Sequence, residues 1–266
     1  MILQRTLLSL IAFTLFLSPL KSAARETLSL NEDWKFLRIR SKKVSETIPP
    51  FTNFEEVDIP HDWSWLRGPI KKGGQADKGG YRIGGVSWYQ KDFQLPASFA
   101  DKSVSICFDG VYRRSTVYLN GQKIGGRPYG FISFRHDITP HLKEGTNQLS
   151  VQVDCSLEPS TRWYHPCGIY APVYLEATHA TSRITHDGVF ITTPQITDEQ
   201  ASVQLSIEVE EAAGLKIQVE LLDPKGLQIG SETLDAHPIT NTSFLVEGTQ
   251  LWSPDTPVLY LSLIHI

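Results

Sequence analysis

The sequence predicts an all-β protein of two successive sandwiches, and three observations lead there. Apolar side chains recur at every second position through most of the chain, turn-forming residues punctuate those runs, and no stretch of useful length carries a helical period. Successive side chains of a strand point to opposite faces, so a strand with one buried face requires this alternation. The 266 residues suffice for one large domain or two ordinary ones, and 41% hydrophobic against 20% charged residues is an ordinary globular balance.

Residues 1–24 read as a signal peptide. Arg5 supplies a positive start, Thr6 to Leu17 is apolar apart from hydroxyl residues, and Pro19 leads to the small-x-small pattern Ser22-Ala23-Ala24. The apolar run is too short for a comfortable membrane span. The mature protein is therefore expected to be secreted or periplasmic, with no membrane association after cleavage.

Further along, Trp34 and Phe36 alternate with Asp33 and Lys35, which suits a strand turning two aromatics inward. His61 and Asp62 follow Pro60 at a strand exit, where they bond to each other or to loop backbone; no nucleophile motif accompanies them to make an acid/base pair. Gly84-Gly85 permits close backbone approach ahead of a strand carrying Trp88 and Tyr89, and lacks the Lys-Ser/Thr of a phosphate loop. Val104, Ile106 and Phe108 alternate, then Val117 and Leu119 run into Asn120-Gly121, the strongest short hairpin signal. Leu149, Val151 and Val153 predict a half-buried strand.

A boundary falls near Thr181 to His186. Before it lies an aromatic, loop-rich block of jelly-roll size, residues 25–181; after it, residues 182–266 look like a smaller sandwich. There Val203 to Val209 alternates strictly, and Leu215, Ile217, Val219 and Leu221 repeat the pattern before the turn Asp223-Pro224-Lys225-Gly226. A last strand is expected over Pro257 to Ile266, with no polar close, which suggests a cut chain.

Composition excludes some classes. The net charge is −4 with no basic run, which argues against a nucleic-acid partner. Three cysteines, Cys107, Cys155 and Cys167, give no closed disulfide framework; Cys155 and Cys167 stand within one loop of each other, and their pairing stays open. Cys155, His165 and Cys167 are the nearest approach to a metal cluster but do not match zinc spacings, so neither metal nor cofactor is expected.

Ordered motifs then carry a resemblance. They are Asn31-Glu32-Asp33-Trp34-Lys35-Phe36, Pro60-His61-Asp62-Trp63, Gly84-Gly85-Val86-Ser87-Trp88-Tyr89, Phe108-Asp109-Gly110-Val111 and Tyr118-Leu119-Asn120-Gly121. Arg127-Pro128-Tyr129-Gly130, Asp137-Ile138-Thr139-Pro140, Val153-Asp154-Cys155-Ser156 and Arg162-Trp163-Tyr164 with Gly168-Ile169-Tyr170 follow. The series resembles the N-terminal sugar-binding domain of glycoside hydrolase family 2, which contains β-galactosidases, β-glucuronidases and β-mannosidases. Leu251-Trp252-Ser253-Pro254-Asp255-Thr256-Pro257 looks like part of that family's second domain. The resemblance implies a galactose-binding-like jelly roll followed by a truncated immunoglobulin-like sandwich.

It also implies a site. In the family, the aspartate of a Val-Asp-x-Ser segment reaches into the active site, a role that falls here on Asp154. By its own position Asp154 ends an apolar strand where the sheet hands over to a loop, and it reads equally as an Asx turn residue. Trp163 and Tyr164 are candidates to line the same rim by stacking on a sugar face, against a plain packing role. Cys155, where Asn is frequent, and Ala171-Pro172, where Arg often follows the Gly-Ile-Tyr step, depart from the family pattern and leave galactoside, glucuronide and mannoside open. Retaining hydrolysis needs two flanking carboxylates, which the family supplies as glutamates on a (β/α)₈ barrel. Nothing in this chain alternates strands with amphipathic helices, so no catalytic residue is assigned. The expectation is the front portion of an exported glycosidase, foremost a β-galactosidase, binding carbohydrate and inactive without its barrel, with a homo-oligomer of the full enzyme left open. The alternative is a free-standing carbohydrate-binding module.

Overall fold

The computed structural model describes residues 25–39, 45–70, 81–157 and 165–266. The signal segment expected over 1–24, and Trp163 and Tyr164, lie outside the described residues. The fold is all-β, as the alternation predicted, with one short helix, α1 (Trp63–Leu66), and two 3₁₀ turns among the described residues.

The first body opens with β1 (Glu26–Ser29), β2 (Trp34–Ile39), β3 (Glu55–Val57) and β4 (Val86–Phe93). It continues through β5 (Lys102–Phe108), β6 (Val111–Tyr112), β7 (Ser115–Leu119) and β8 (Gln122–Arg127). It closes with β9 (Phe134–Asp137), β10 (Asn147–Asp154), β11 (Gly168–Ile169) and β12 (Val173–His179). A four-stranded sheet, β1-β12-β5-β9, faces a six-stranded one, β3-β2-β4-β10-β7-β8, and the short pair β11-β6 stands apart. Trp34, Phe36, Tyr89, Leu149, Val151 and Val153 from one layer join Val104, Ile106, Phe108 and Leu175 from the other in a single core.

The second body holds β13 (Arg183–Ile196), β14 (Gln200–Glu210), β15 (Lys216–Leu222), β16 (Gln228–Asp235), β17 (Ile239–Glu247) and β18 (Leu261–His265). Two three-stranded sheets, β13-β14-β17 and β16-β15-β18, enclose a separate core that includes Leu205, Ile207, Ile217 and Val219. The last strand is shorter than the expected 257–266. Ser253 and Thr256 exchange backbone hydrogen bonds at 3.1 Å in both directions, which turns the chain before β18.

Turn chemistry fixed the hairpins as read. Asn120 and Gly121 both have positive φ, 51° and 84°, and Leu119 pairs with Gln122 across them. Asp223 accepts the Lys225 and Leu227 amides, each at 2.8 Å, on its side chain and thereby closes the β15–β16 turn.

One expectation fails. The Leu149–Val153 strand is not half-buried: β10 lies between β4 and β7, and its polar alternates Ser150, Gln152 and Asp154 are buried too. The six-stranded sheet is covered on its outer side, where the Gln152 amide donates to the Ser45 carbonyl at 2.6 Å and Trp88 packs on Tyr118. Polar side chains that find a hydrogen-bond partner can be buried at small net cost, so polarity at alternate positions did not mark a wet face. Leu149→Ala is therefore expected to cost about 2–5 kcal/mol as a core truncation. Leu227→Ala, on an exposed turn, should stay within about 0.5 kcal/mol. Urea midpoints of the two variants check this.

Candidate functional site

The end of β10 is where the chain concentrates polar chemistry. The Asp154 amide donates to the Arg113 carbonyl at 3.0 Å, which anchors the strand end to the start of β7. Its Oδ1 accepts the Ser156 amide at 2.8 Å, an Asx-type turn, and its Oδ2 meets Arg114 Nη2 at 2.8 Å. The ion pair forms where the ladder ends: the last β10–β7 register pair is Gln152 with Thr116, and Arg114 stands just before β7 with a φ of 45°. The carboxylate is 6% exposed and the guanidinium 38%, so the pair lies at a boundary between core and solvent. Each carboxylate oxygen has two lone pairs, and these contacts leave one on each unassigned.

Beside Asp154 stands an aromatic rim. Tyr112 stacks on His165 with centroids 4.3 Å apart and touches Phe131 at 5.0 Å; Phe131 in turn meets Tyr129 edge-on at 5.9 Å. Tyr129 and Phe131 are 57% and 54% exposed, whereas Tyr112 is buried. Gly130 makes this possible, since a Cβ there would lie 2.4 Å from Tyr112 Cδ2. The Tyr170 hydroxyl pins the same loop by donating to the Gly130 carbonyl at 2.7 Å. Arg113 donates from Nη2 to the Leu157 carbonyl at 3.3 Å and lies 5.5 Å from the Tyr112 ring centroid. Behind the ring, the Cys155 thiol donates to the Tyr112 carbonyl at 3.0 Å. Gly84 has room only for a hydrogen there, because a Cβ would sit 2.4 Å from the Cys155 carbonyl. Burial pushes the Tyr112 hydroxyl above its ordinary pKa.

Leu157 and His165, which flank the segment holding Trp163 and Tyr164, both contact rim residues. Sequence reasoning missed Tyr112, Arg113, Arg114, Tyr129, Phe131 and His165. The available signals were the Arg-Arg pair after Val111-Tyr112 and the aromatics of Arg127-Pro128-Tyr129-Gly130-Phe131.

His61 and Asp62 serve the scaffold. The His61 ring bonds the Tyr89 hydroxyl at 3.0 Å, and the Asp62 carboxylate accepts the Trp65 and Cys167 amides, each at 3.1 Å. Asp62 thus caps α1 and ties it to the segment leading into β11. All three cysteines are free and buried. Among the described residues, no group of three His, Cys, Asp or Glu side chains is placed to hold a metal. Glu208 and Glu210 are exposed on β14, and Glu210 pairs with Arg183 at 2.6 Å. A cleft of about 720 Å³ lies between the two bodies, lined in part by Arg25 and Arg183. Both arginines already face carboxylates, Glu176 and Glu210, so the cleft offers less for recognition than the rim.

Residues 83–184 match the description "Glycosyl hydrolase 2 galactose-binding domain-like", and residues 182–265 match "Glycosyl hydrolases family 2". A Formosa agariphila protein provisionally named a beta-glucuronidase is 43% identical over 92% of this chain and 24% of its own length. Beta-galactosidase BoGH2A of Bacteroides ovatus is 37% identical over 68% of this chain and 21% of its own. A beta-glycosidase crystal structure from Bacteroides vulgatus superposes with a TM-score of 0.78 at 34% identity, covering 90% of this chain and 31% of that one. The chain thus spans about a quarter of the length of the curated relatives it matches.

The buried imidazole supplies a pH test of the scaffold. Burial lowers the His61 pKa below the ordinary 6.5, with the charges of Glu55 and Asp62 opposing. The folded state then binds the proton less readily than the unfolded chain. The associated stability is complete above pH 6.5 and is lost as pH falls from there through the lower folded value. His61→Gln should flatten part of the stability decline between about pH 7 and about pH 5. Denaturant titrations of both proteins across that window check it, and parallel declines would show that the ring carries no such linkage.

Proposed function

Because this chain belongs to glycoside hydrolase family 2, through its galactose-binding-like domain and the sandwich that follows, we propose that it forms the non-catalytic front portion of an exported retaining glycosidase. In this reading residues 1–24 direct export, 25–181 form the sugar-binding domain and 182–266 support it. The substrate is a terminal β-linked sugar, a β-galactoside in the first reading. A β-glucuronide is the second, favoured by the 43% identical relative that bears a β-glucuronidase name.

One observation carries the proposal: a carboxylate fixed at the end of β10 pairs with Arg114, two residues after the Tyr112 ring that the exposed Phe131 touches, in a chain built of two family domains. Sugars present hydroxyl donors to carboxylates and apolar C–H faces to aromatic rings, and this rim offers both partners. Retaining hydrolysis further requires two carboxyl groups about 5–5.5 Å apart. The carboxylates named above serve instead in a turn, a cap and ion pairs. The acid/base and the nucleophile are proposed to come from the barrel that the family resemblance implies, with Asp154 completing the sugar subsite from outside it.

Two measurements test this. The chain by itself should release no aryl alcohol from β-galactoside or β-glucuronide test substrates; turnover abolished by a point mutation in this chain would overturn its non-catalytic role. In a longer protein that carries a barrel, Asp154→Asn should lower kcat/KM about tenfold to a hundredfold, as expected when one acceptor oxygen becomes a mismatched donor. The same change also breaks the Arg114 ion pair, so Arg114→Met is the control. If Arg114→Met reproduces the whole kinetic loss, Asp154 acts through the turn and not on the sugar.

A further inference from the structure

Cys155 and Cys167 stand at the two ends of one junction. Cys155 directly follows β10, and Cys167 directly precedes β11. The Cys155 thiol donates to the Tyr112 carbonyl at 3.0 Å, and Tyr112 faces Gly168, the neighbour of Cys167, in the β6–β11 ladder. Facing residues of an antiparallel pair lie about 4.5–5.5 Å apart at Cα, so this short ladder brings both sulfurs to one place. There they touch. The hydrogen of the Cys155 thiol is spent on Tyr112, so its sulfur accepts the hydrogen bond that joins it to the Cys167 thiol. Both residues are buried in the same core cluster.

Their backbones are pinned as well. The Cys155 amide donates to the Gly85 carbonyl at 2.8 Å. The Cys167 amide donates to Asp62 Oδ1 and its carbonyl accepts the Trp63 amide, each at 3.1 Å. Cys107 is placed differently: it lies in β5, faced by Tyr174 on one side and Arg135 on the other, neither of them a thiol. Burial first, and then the bond to Cys155, push the Cys167 thiol well above its ordinary pKa. A thiol held neutral is a poor nucleophile. Exchange is therefore confined to the chain as it folds or opens, and a crosslink once packed is shielded from reductant.

We propose that Cys155 and Cys167 form a disulfide in the presence of an oxidising thiol–disulfide couple, a covalent staple between the exit of β10 and the entry of β11. With glutathione disulfide as oxidant, one cysteine thiolate attacks it and expels a glutathione thiolate. The second cysteine thiolate then attacks the protein sulfur of the mixed disulfide and expels the other. One S–S bond forms in the protein, one breaks in glutathione disulfide, and the two thiol protons end on two glutathione thiols. The bond lost at Tyr112 came from a weak S–H donor. Eleven residues separate the cysteines, among them Ser156, Leu157 and His165, which meet Asp154, Arg113 and Tyr112. The staple thus fixes both ends of the segment that contributes to the rim. The oxidising compartment follows from the proposed export of the chain, whereas the chemistry and its test do not depend on export or on sugar binding.

The test uses the chain itself. Reduced protein is equilibrated in glutathione buffers of graded oxidising strength, once folded and once during refolding from urea, an arm that exposes every thiol to the oxidant. Remaining thiols are then alkylated, and the peptides are mapped by mass spectrometry. The refolded arm should yield one Cys155–Cys167 crosslink, with Cys107 alkylated. The oxidised chain should melt about 5 °C or more above the reduced one, since closing even a short loop constrains the unfolded state. Cys155→Ala should abolish the crosslink and make the oxidised and reduced melting temperatures equal, while Cys107→Ala should leave both crosslink and difference intact. Should Cys155→Ala fail to fold, Cys167→Ala takes its place with the same expectation. Three alkylated cysteines in both arms overturn the proposal, and so does a crosslink that includes Cys107. A Cys155–Cys167 crosslink that leaves the melting temperature unchanged or lower overturns its role as a staple.

Discussion

A carboxylate withdrawn from water must be compensated, and Asp154 sets that requirement at the end of the central strand β10. Its side chain is 6% exposed, and stripping water from an isolated charge in such a place costs several kcal/mol. Arg114 supplies the countercharge, the Ser156 amide a hydrogen bond, and the Asp154 amide in turn holds the Arg113 carbonyl. These contacts join the exit of β10 to the entry of β7. The geometry of the rim follows from that junction, because Tyr112, Arg113 and Arg114 are held in series immediately before β7 begins.

Close backbone approach is the second condition. Gly130 lies where a Cβ would meet Tyr112, and Gly84 lies where one would meet the Cys155 carbonyl. Two chain segments distant in sequence thereby come to van der Waals distance of the same short region. The strand pair β6–β11, with Tyr112 opposite Gly168 and Val111 opposite Ile169, draws the segment after His165 against it. The Asp62 cap, bonded to the Cys167 amide, ties the same segment to α1. The rim is therefore built from loops whose conformations are set by packing and hydrogen bonds rather than by their own propensities.

This explains how far the sequence could be read. Strands β5, β10, β14 and β15 were legible because each alternates over five or more residues, and the β7–β8 turn because Asn120-Gly121 has one favoured backbone answer. Asp154 was legible as the polar end of an apolar run. The remainder of the rim was not. Tyr112 belongs to a two-residue strand, too short to show a period, and its neighbours His165 and Phe131 arrive through long-range pairing. The double burial of β10 was hidden for a related reason: Ser150 and Gln152 look like solvent-facing residues until a partner such as the Ser45 carbonyl is placed over them.

The two charges of the rim, taken with the turn, give it polarity as well as affinity. A carboxylate only accepts hydrogen bonds, and the lone pairs of Asp154 left over from Ser156 and Arg114 can receive only ligand donors. A guanidinium only donates, so Arg113 can receive only ligand acceptors. A ring of identical hydroxyls satisfies both groups in several orientations, because each hydroxyl both donates and accepts.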